Sequence, residues 1–228
     1  MQGNYQMTYN VDMVFCIDAT GSMGPVISLV KKNALNFYND VQTVMDKKGK
    51  VIDSLRIRVI AFRDYIADKE DAMLLTDFFE LPRQAEDFAR CINSIRAYGG
   101  GDDPEDGLEA LGYAIKSKWN MEAKKKRQIV VVWTDAPTHQ LGFGKSQPNY
   151  PTKMAKDFSE LTSWWGNSQM EGYIDQSAKR LILFAPEAPY WSQVADNWEN
   201  VIHCPSQAGK GVAEIDYHQI IDTISNTI

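Results

Sequence analysis

Val11-Asp12-Met13-Val14-Phe15-Cys16-Ile17-Asp18 runs directly into Ala19-Thr20-Gly21-Ser22-Met23-Gly24-Pro25. The first eight residues are apolar almost without interruption, the pattern of a strand buried on both faces of a parallel sheet. Ending such a strand on an aspartate is costly unless something offsets the charge. The next segment opens a helix, because Pro25 suits a first turn where a missing N–H costs nothing. Val26, Val30, Ala34, Phe37, Val41 and Val44 then recur at spacings of three and four, which predicts one long helix docked on the sheet. A buried strand, a polar turn and an amphipathic helix make the opening unit of an α/β fold.

Outward from that unit the alternation continues. Residues 55–62 and 72–79 read as strands whose connection is too short for a helical crossover, so the pair is expected to be antiparallel. Further strands are expected over 128–135, 180–185 and 201–204. Helices are expected over 82–95, 104–119, 152–167, 191–198 and 213–228. The predicted fold class is a Rossmann-like, doubly wound, mostly parallel sheet with one antiparallel edge strand and helices on both faces. Residues 1–10 read as a tail and 11–228 as one domain.

Composition narrows the functions. A formal charge of −6 over 228 residues argues against a nucleic-acid surface, which needs clustered Lys and Arg. The basic run Lys124-Lys125-Lys126-Arg127 reads as a solvated turn, with a partner-binding patch as the alternative. Cys16, Cys91 and Cys204 are odd in number, far apart and set in apolar stretches, which fits buried free thiols rather than a disulfide framework or a zinc site. No apolar run approaches the ~20 residues of a membrane span, and residues 1–10 lack the apolar core of a signal peptide, so a cytoplasmic location without membrane contact is expected. His139 is expected on a surface loop, His203 at a strand end and His218 on a helix surface. Trp164, Trp165, Trp191 and Trp198 are open to two readings, core packing or an exposed partner patch.

Three segments carry chemistry, each at or beside the carboxyl end of a strand, where open α/β sheets bind ligands. In the first, Asp18, Thr20 and Ser22 place three oxygens on one side of a turn opened by Gly21. The second is Gly99-Gly100-Gly101-Asp102-Asp103-Pro104-Glu105-Asp106, where glycines permit positive φ and close approach, and acids suit the start of a helix. The third is Trp133-Thr134-Asp135, another acid closing an apolar strand. Oxygen-only donors of this kind suit a hard cation, with Mg²⁺ favoured and Mn²⁺ or Ca²⁺ also compatible.

These segments, in this order, resemble the metal-ion-dependent adhesion site (MIDAS) of von Willebrand factor A (VWA) domains, of the type met in bacterial intracellular chains. That site carries Asp-x-Ser-x-Ser after the first strand, a Thr in a glycine-rich loop and an Asp after the fourth strand. The resemblance implies a metal-ligand set of Asp18, Thr20, Ser22, Asp102 and Asp135. Thr20 keeps the hydroxyl of the first Ser. Asp102 puts a charge where the family has a neutral Thr, and three carboxylates around one divalent ion hold it more tightly while weakening its pull on a partner's carboxylate. The resemblance further implies a non-enzymatic module that engages a protein partner through the cation, by way of an acidic side chain. The alternative is an Mg²⁺-dependent phosphohydrolase with Asp18 as nucleophile. Against it, the haloacid-dehalogenase-like motif DxDxT requires a second acid where this chain has Thr20. Neither GxGxxG after the first strand nor a Walker-type GxxxxGK[ST] is present, which weakens any nucleotide-binding role.

Overall fold

A computed structural model describes residues 7–101, 103–206 and 216–228. β1 (Met7–Asp18), β2 (Lys50–Phe62), β3 (Met73–Leu81), β4 (Lys126–Trp133), β5 (Lys179–Pro186) and β6 (Val201–Ser206) form one sheet in the order β3–β2–β1–β4–β5–β6. Every neighbouring pair is parallel except β2 and β3, which run antiparallel at one edge. The short β2–β3 connection enforces that exception.

The quoted strand is the centre of the sheet. Its Phe15 lies opposite Val59 on one side and Val131 on the other. Met13, Phe15 and Ile17 face one apolar layer, while Val14 and Cys16 face a second. The first layer is closed by α1 (Gly24–Asn33), α2 (Phe37–Lys47), α3 (Ala85–Ser94) and α7 (Tyr217–Thr227). The second is closed by α4 (Gly107–Ile115), α5 (Phe158–Trp165) and α6 (Trp191–Asn197). The two-sided burial of β1 is the physical reason its sequence lacks alternation. Because β2 and β4 flank β1 on opposite sides, the winding reverses between β1 and β4. A crevice at the carboxyl ends of those two strands is where open α/β sheets take their ligands.

Several boundaries differ from expectation. β1 begins at Met7, inside the stretch read as a tail. The long first helix is two, α1 and α2, separated by a turn at residues 34–36. Asn33 turns its side-chain amide back onto the Leu29 carbonyl and Asn36 donates its N–H to the Asn33 carbonyl; such local bonding is why Asn breaks helices. The apolar stripe survives the break, with Val26, Ala34, Phe37 and Val41 all buried. α4 is shorter than 104–119, and α5 starts at Phe158 rather than near 152. There Asp157 accepts from the Glu160 N–H while Glu160 accepts from the Lys156 N–H, a reciprocal cap that fixes the start. α7 starts at Tyr217; the earlier part of the expected helix, at 213–215, lies outside the described residues.

The four tryptophans are core. Trp165 and Trp198 stack with centroids 5.5 Å apart, and Trp191 packs under the segment after β4 with its Nε1 donating to the Ala136 carbonyl. Lys124 and Lys125 are exposed as a turn residue should be, but Lys126 and Arg127 belong to β4, and Lys126 pairs with Asp175 at 2.9 Å. Cys16, Cys91 and Cys204 are free thiols, but only Cys16 is fully buried as expected; Cys91 and Cys204 are half-buried. Among the described residues no helix is long and apolar enough to cross a membrane.

Candidate metal centre

Asp18 closes β1, and Asp135 lies just past the end of the adjacent β4. Asp18 Oδ1 accepts from the Thr20 N–H at 2.9 Å and from Thr20 Oγ1 at 2.6 Å. Its Oδ2 accepts from Thr134 Oγ1 at 2.7 Å, which ties the two strand ends together. Ser22 Oγ donates to Asp135 Oδ1 at 2.8 Å, across 113 residues of chain. Asp18, Thr20, Ser22 and Asp135 are thus gathered at the carboxyl edge of the sheet, at the point where the winding reverses. Asp102 lies outside the described residues. Burial pushes the Asp18 carboxyl up to about 6, the hydroxyls of Thr20 and Thr134 pull it back, and Asp135 repels it.

Glu105, which the sequence places among the acids at the start of a helix and outside the expected ligand set, belongs to the same corner. Its N–H donates to the Pro137 carbonyl and its own carbonyl accepts from the His139 N–H, so it lies as a short bridge beside the segment after β4. Gly100, at φ +93°, lets the glycine loop pass over it. A Cβ there would stand 2.5 Å from Glu105 Oε1 and 2.7 Å from Thr20 Cγ2, so the glycine, the glutamate and the threonine share one tight space. The Glu105 side chain is buried and its Oε2 has no hydrogen-bond partner. Burial, reinforced by Asp18, Asp64, Asp68 and Asp106, pushes its carboxyl up to about 10. The local signal was Pro104-Glu105 just ahead of a helix; the bridge to Thr138 that buries it is non-local and unreadable from the sequence.

His139 corrects an expectation: it is buried, not on the surface. Its Nε2 lies 2.8 Å from Asp64 Oδ2, and its ring stacks on the exposed Phe143 at 3.9 Å. Behind this pair sit Asp106, whose Oδ2 accepts from the Tyr65 N–H, and Glu109, whose Oε1 accepts from the Gly142 N–H and the Tyr150 hydroxyl. Burial raises both carboxyls above the usual carboxylate range, and repulsion from Glu109 adds to the shift of Asp106. His203 accompanies β6, its Nε2 2.9 Å from the Ala185 carbonyl, and His218 is exposed on α7.

The donors fit a hard cation. Thr20 and Ser22 spend their hydroxyl protons on carboxylates, which leaves oxygen lone pairs available. A buried carboxylate oxygen of Glu105 lacks any partner in the same corner, and orphaned buried oxygens of this kind are costly. Among the described residues no three His, Cys, Asp or Glu side chains converge closely enough to hold a metal by themselves. A cation here would therefore depend on the hydroxyls and on water, as Mg²⁺ sites commonly do.

No protein-family model matches the chain. Two curated proteins resemble parts of it. One is the alpha-protein kinase vwkA of Dictyostelium discoideum, 28% identical over 141 residues, covering 62% of this chain and 21% of that protein. The other is an ariadne-like RING finger protein of Acanthamoeba polyphaga mimivirus, 28% identical over 129 residues, covering 57% of this chain and 11% of that protein. The chain thus spans about a fifth or less of the curated relatives it matches. Among solved structures, it is similar to a von Willebrand factor type A protein from Catenulispora acidiphila, with TM-score 0.52 and 12% identity, covering 94% of this chain and 42% of that one. It is likewise similar to the pilus adhesin SpaC from Lactobacillus rhamnosus GG, with TM-score 0.52 and 12% identity, covering 95% of this chain and 30% of that one. At such identities the likeness speaks for the fold, and the fold is VWA-like.

Proposed function

We propose that the chain is a VWA-type protein-binding module that works through a divalent cation, held by Asp18, Thr20, Ser22, Glu105 and Asp135. The observation that carries this reading is the unpartnered Oε2 of buried Glu105, set against Asp18 and Thr20 at the carboxyl edge of β1 and β4. Asp102 stays a candidate ligand on the sequence resemblance alone. Mg²⁺ is the favoured ion and Mn²⁺ or Ca²⁺ are compatible, since all the donors are oxygens. When bound, the cation supplies a positive point to which a partner's acidic side chain can add. The carboxylates of Asp18 and Asp135, with Glu105 beside them, moderate that pull, so the partner needs further contacts from the surrounding loops. Exposed Ile66, Tyr98 and Phe143 on those loops can supply them.

The module reading includes no chemistry on the partner, and the free thiols fit a reducing, cytoplasmic setting. The burial of Asp18 and the bonds on both its oxygens weigh against its use as a phosphohydrolase nucleophile.

Thermal melts in EDTA and in Mg²⁺ or Mn²⁺ test the reading. A cation at a hundred times its Kd stabilises by about 2.7 kcal/mol. Asp18→Ala and Asp135→Ala should erase that gain while the EDTA melts stay cooperative. A wild-type melt indifferent to every divalent ion overturns the proposal, and turnover of a generic phosphate ester that is lost in Asp18→Asn replaces it with the enzyme.

A further inference from the structure

Arg63 follows the last residue of β2, and its side chain is buried. A buried guanidinium normally faces a carboxylate, because the charge is costly to bury alone. Among the described residues no carboxylate forms an ion pair with Arg63. Its donors go to backbone carbonyls instead: Nε to Ala19 and Tyr98, both at 3.0 Å, one terminal nitrogen to Asp71 at 2.7 Å, and the other to Arg96 at 2.7 Å. The Tyr98 ring covers the guanidinium at 4.2 Å.

The segments it joins are those that build the candidate centre. Ala19 follows Asp18. Arg96 and Tyr98 lead into the glycine loop, and the Tyr98 N–H itself donates to the Ala19 carbonyl. The backbone of Arg63 extends the clamp, because its carbonyl accepts from the Asp106 N–H, next to Glu105, and its N–H donates to the Ala72 carbonyl. Only arginine has the planar fork of donors that can serve several carbonyls at once. We infer that Arg63 is the positioning residue of the centre: through four carbonyls it holds the turn after β1 and the entry to the glycine loop in the arrangement that lets Asp18, Thr20 and Glu105 share a corner. The inference rests on the cation reading above.

Mn²⁺ alone is the probe, titrated calorimetrically into the wild type, Arg63→Met, Arg63→Lys and a control, Arg56→Met. The control removes a cation far from the centre, where Arg56 pairs with Asp12. Loss of groups that orient metal ligands commonly weakens affinity ten- to a hundredfold. Arg63→Met should fall in that range. Arg63→Lys, which keeps the charge but not the fork, should lose at least several-fold, and it decides the matter if Arg63→Met does not fold. Arg56→Met should lower the melting temperature and leave Mn²⁺ affinity unchanged. Wild-type affinity in Arg63→Lys overturns the inference, as does an equal loss in Arg56→Met, which would tie affinity to stability alone. A wild type that binds no Mn²⁺ removes the cation reading itself, an outcome distinct from the other two.

Discussion

The two ends of the sheet treat buried charge in opposite ways. Near the amino ends of the central strands, Asp12 receives both Nε and a terminal nitrogen of Arg56, at 2.7 and 2.6 Å, and the Asn120 N–H at 2.6 Å. Lys179, fully buried, gives its ammonium to the carbonyls of Trp165 and Gly166 at the end of α5. Each charge there has its hydrogen-bond partners. At the carboxyl ends, Asp18, Asp64, Glu105, Asp106, Glu109 and Asp135 are all buried, and one oxygen each of Glu105, Asp106 and Glu109 has no partner. Among the described residues the buried guanidinium of Arg63 at that end does not balance the acids. One end is completed by the chain's own side chains and backbone. The other is charged in a way that favours protons or, in the proposed function, a metal ion.

The largest effect that sharpens this contrast belongs to the matched end. Asp12→Ala leaves a half-buried guanidinium and a buried N–H without their acceptor, which should cost about 3 to 5 kcal/mol. Urea unfolding should give the same loss in EDTA and in Mg²⁺. A loss that depends on the cation would break the division between the two ends.

Glu105→Gln should act with the reverse sign. It keeps the shape and removes an acid that burial and four neighbouring carboxylates disfavour, so the EDTA form should gain about 1 to 2 kcal/mol at pH 8. The same variant should lose most of the stabilisation by Mg²⁺. Unfolding curves with and without cation measure both, and a variant that is weaker in EDTA would mean the carboxylate of Glu105 is satisfied in the metal-free fold.

Titration separates the ends again, with a smaller change spread over more of the pH range. Asp18 and Glu105 have folded pKa values above the ordinary 3.8 and 4.5, so from there upward the folded chain binds more protons than the unfolded one. Stability from these groups is complete below about pH 4 and is lost as pH rises, for Asp18 through about 6. Asp175 at the other end is pulled down to about 2 by its hydrogen bonds from Lys126 and Ser177, so its contribution is present above 3.8 and is lost only as pH falls toward 2. In EDTA the melting temperature should therefore fall between pH 5 and pH 8. Saturating Mg²⁺ should flatten that slope. A rise over this interval in EDTA would show that the acids at the carboxyl edge are not destabilised when ionised.

How much of this was legible in the sequence follows the same division. The apolar run Val11–Ile17, interrupted only by Asp12, and the short connection before β3 are local signals, and they were enough for a parallel sheet with one reversed edge strand. Asp157-x-x-Glu160 is an equally local capping signal, and it marks the start of α5 at Phe158. Asp18, Thr20, Ser22 and Asp135 were readable because each sits at a fixed offset from the end of a strand. Glu105, Arg63 and His139 were not, because what makes them matter is contact with residues far along the chain: Thr138 and Asp18, Ala19 and Tyr98, and Asp64.

The smallest effect tests whether the acids at the carboxyl edge form one unit or two. Glu109 is bonded to Gly142 and Tyr150, both on the long segment between β4 and α5, and through them it anchors that segment on α4. Tyr150→Phe removes one of those bonds and keeps the ring against Tyr65, whose centroid is 5.2 Å away. The loss should be about 1 kcal/mol, because one net hydrogen bond is removed and the Gly142 N–H still reaches the carboxylate. For a chain of this size that corresponds to roughly 2 to 4 °C in melting temperature. Mn²⁺ affinity should not change, since Asp18 is tied to Thr20 and Thr134 and Asp135 to Ser22, all independent of Tyr150. Should Tyr150→Phe weaken Mn²⁺ tenfold, the anchor at Glu109 and the centre at Asp18 would be mechanically one site, with the segment after β4 as the lever between them.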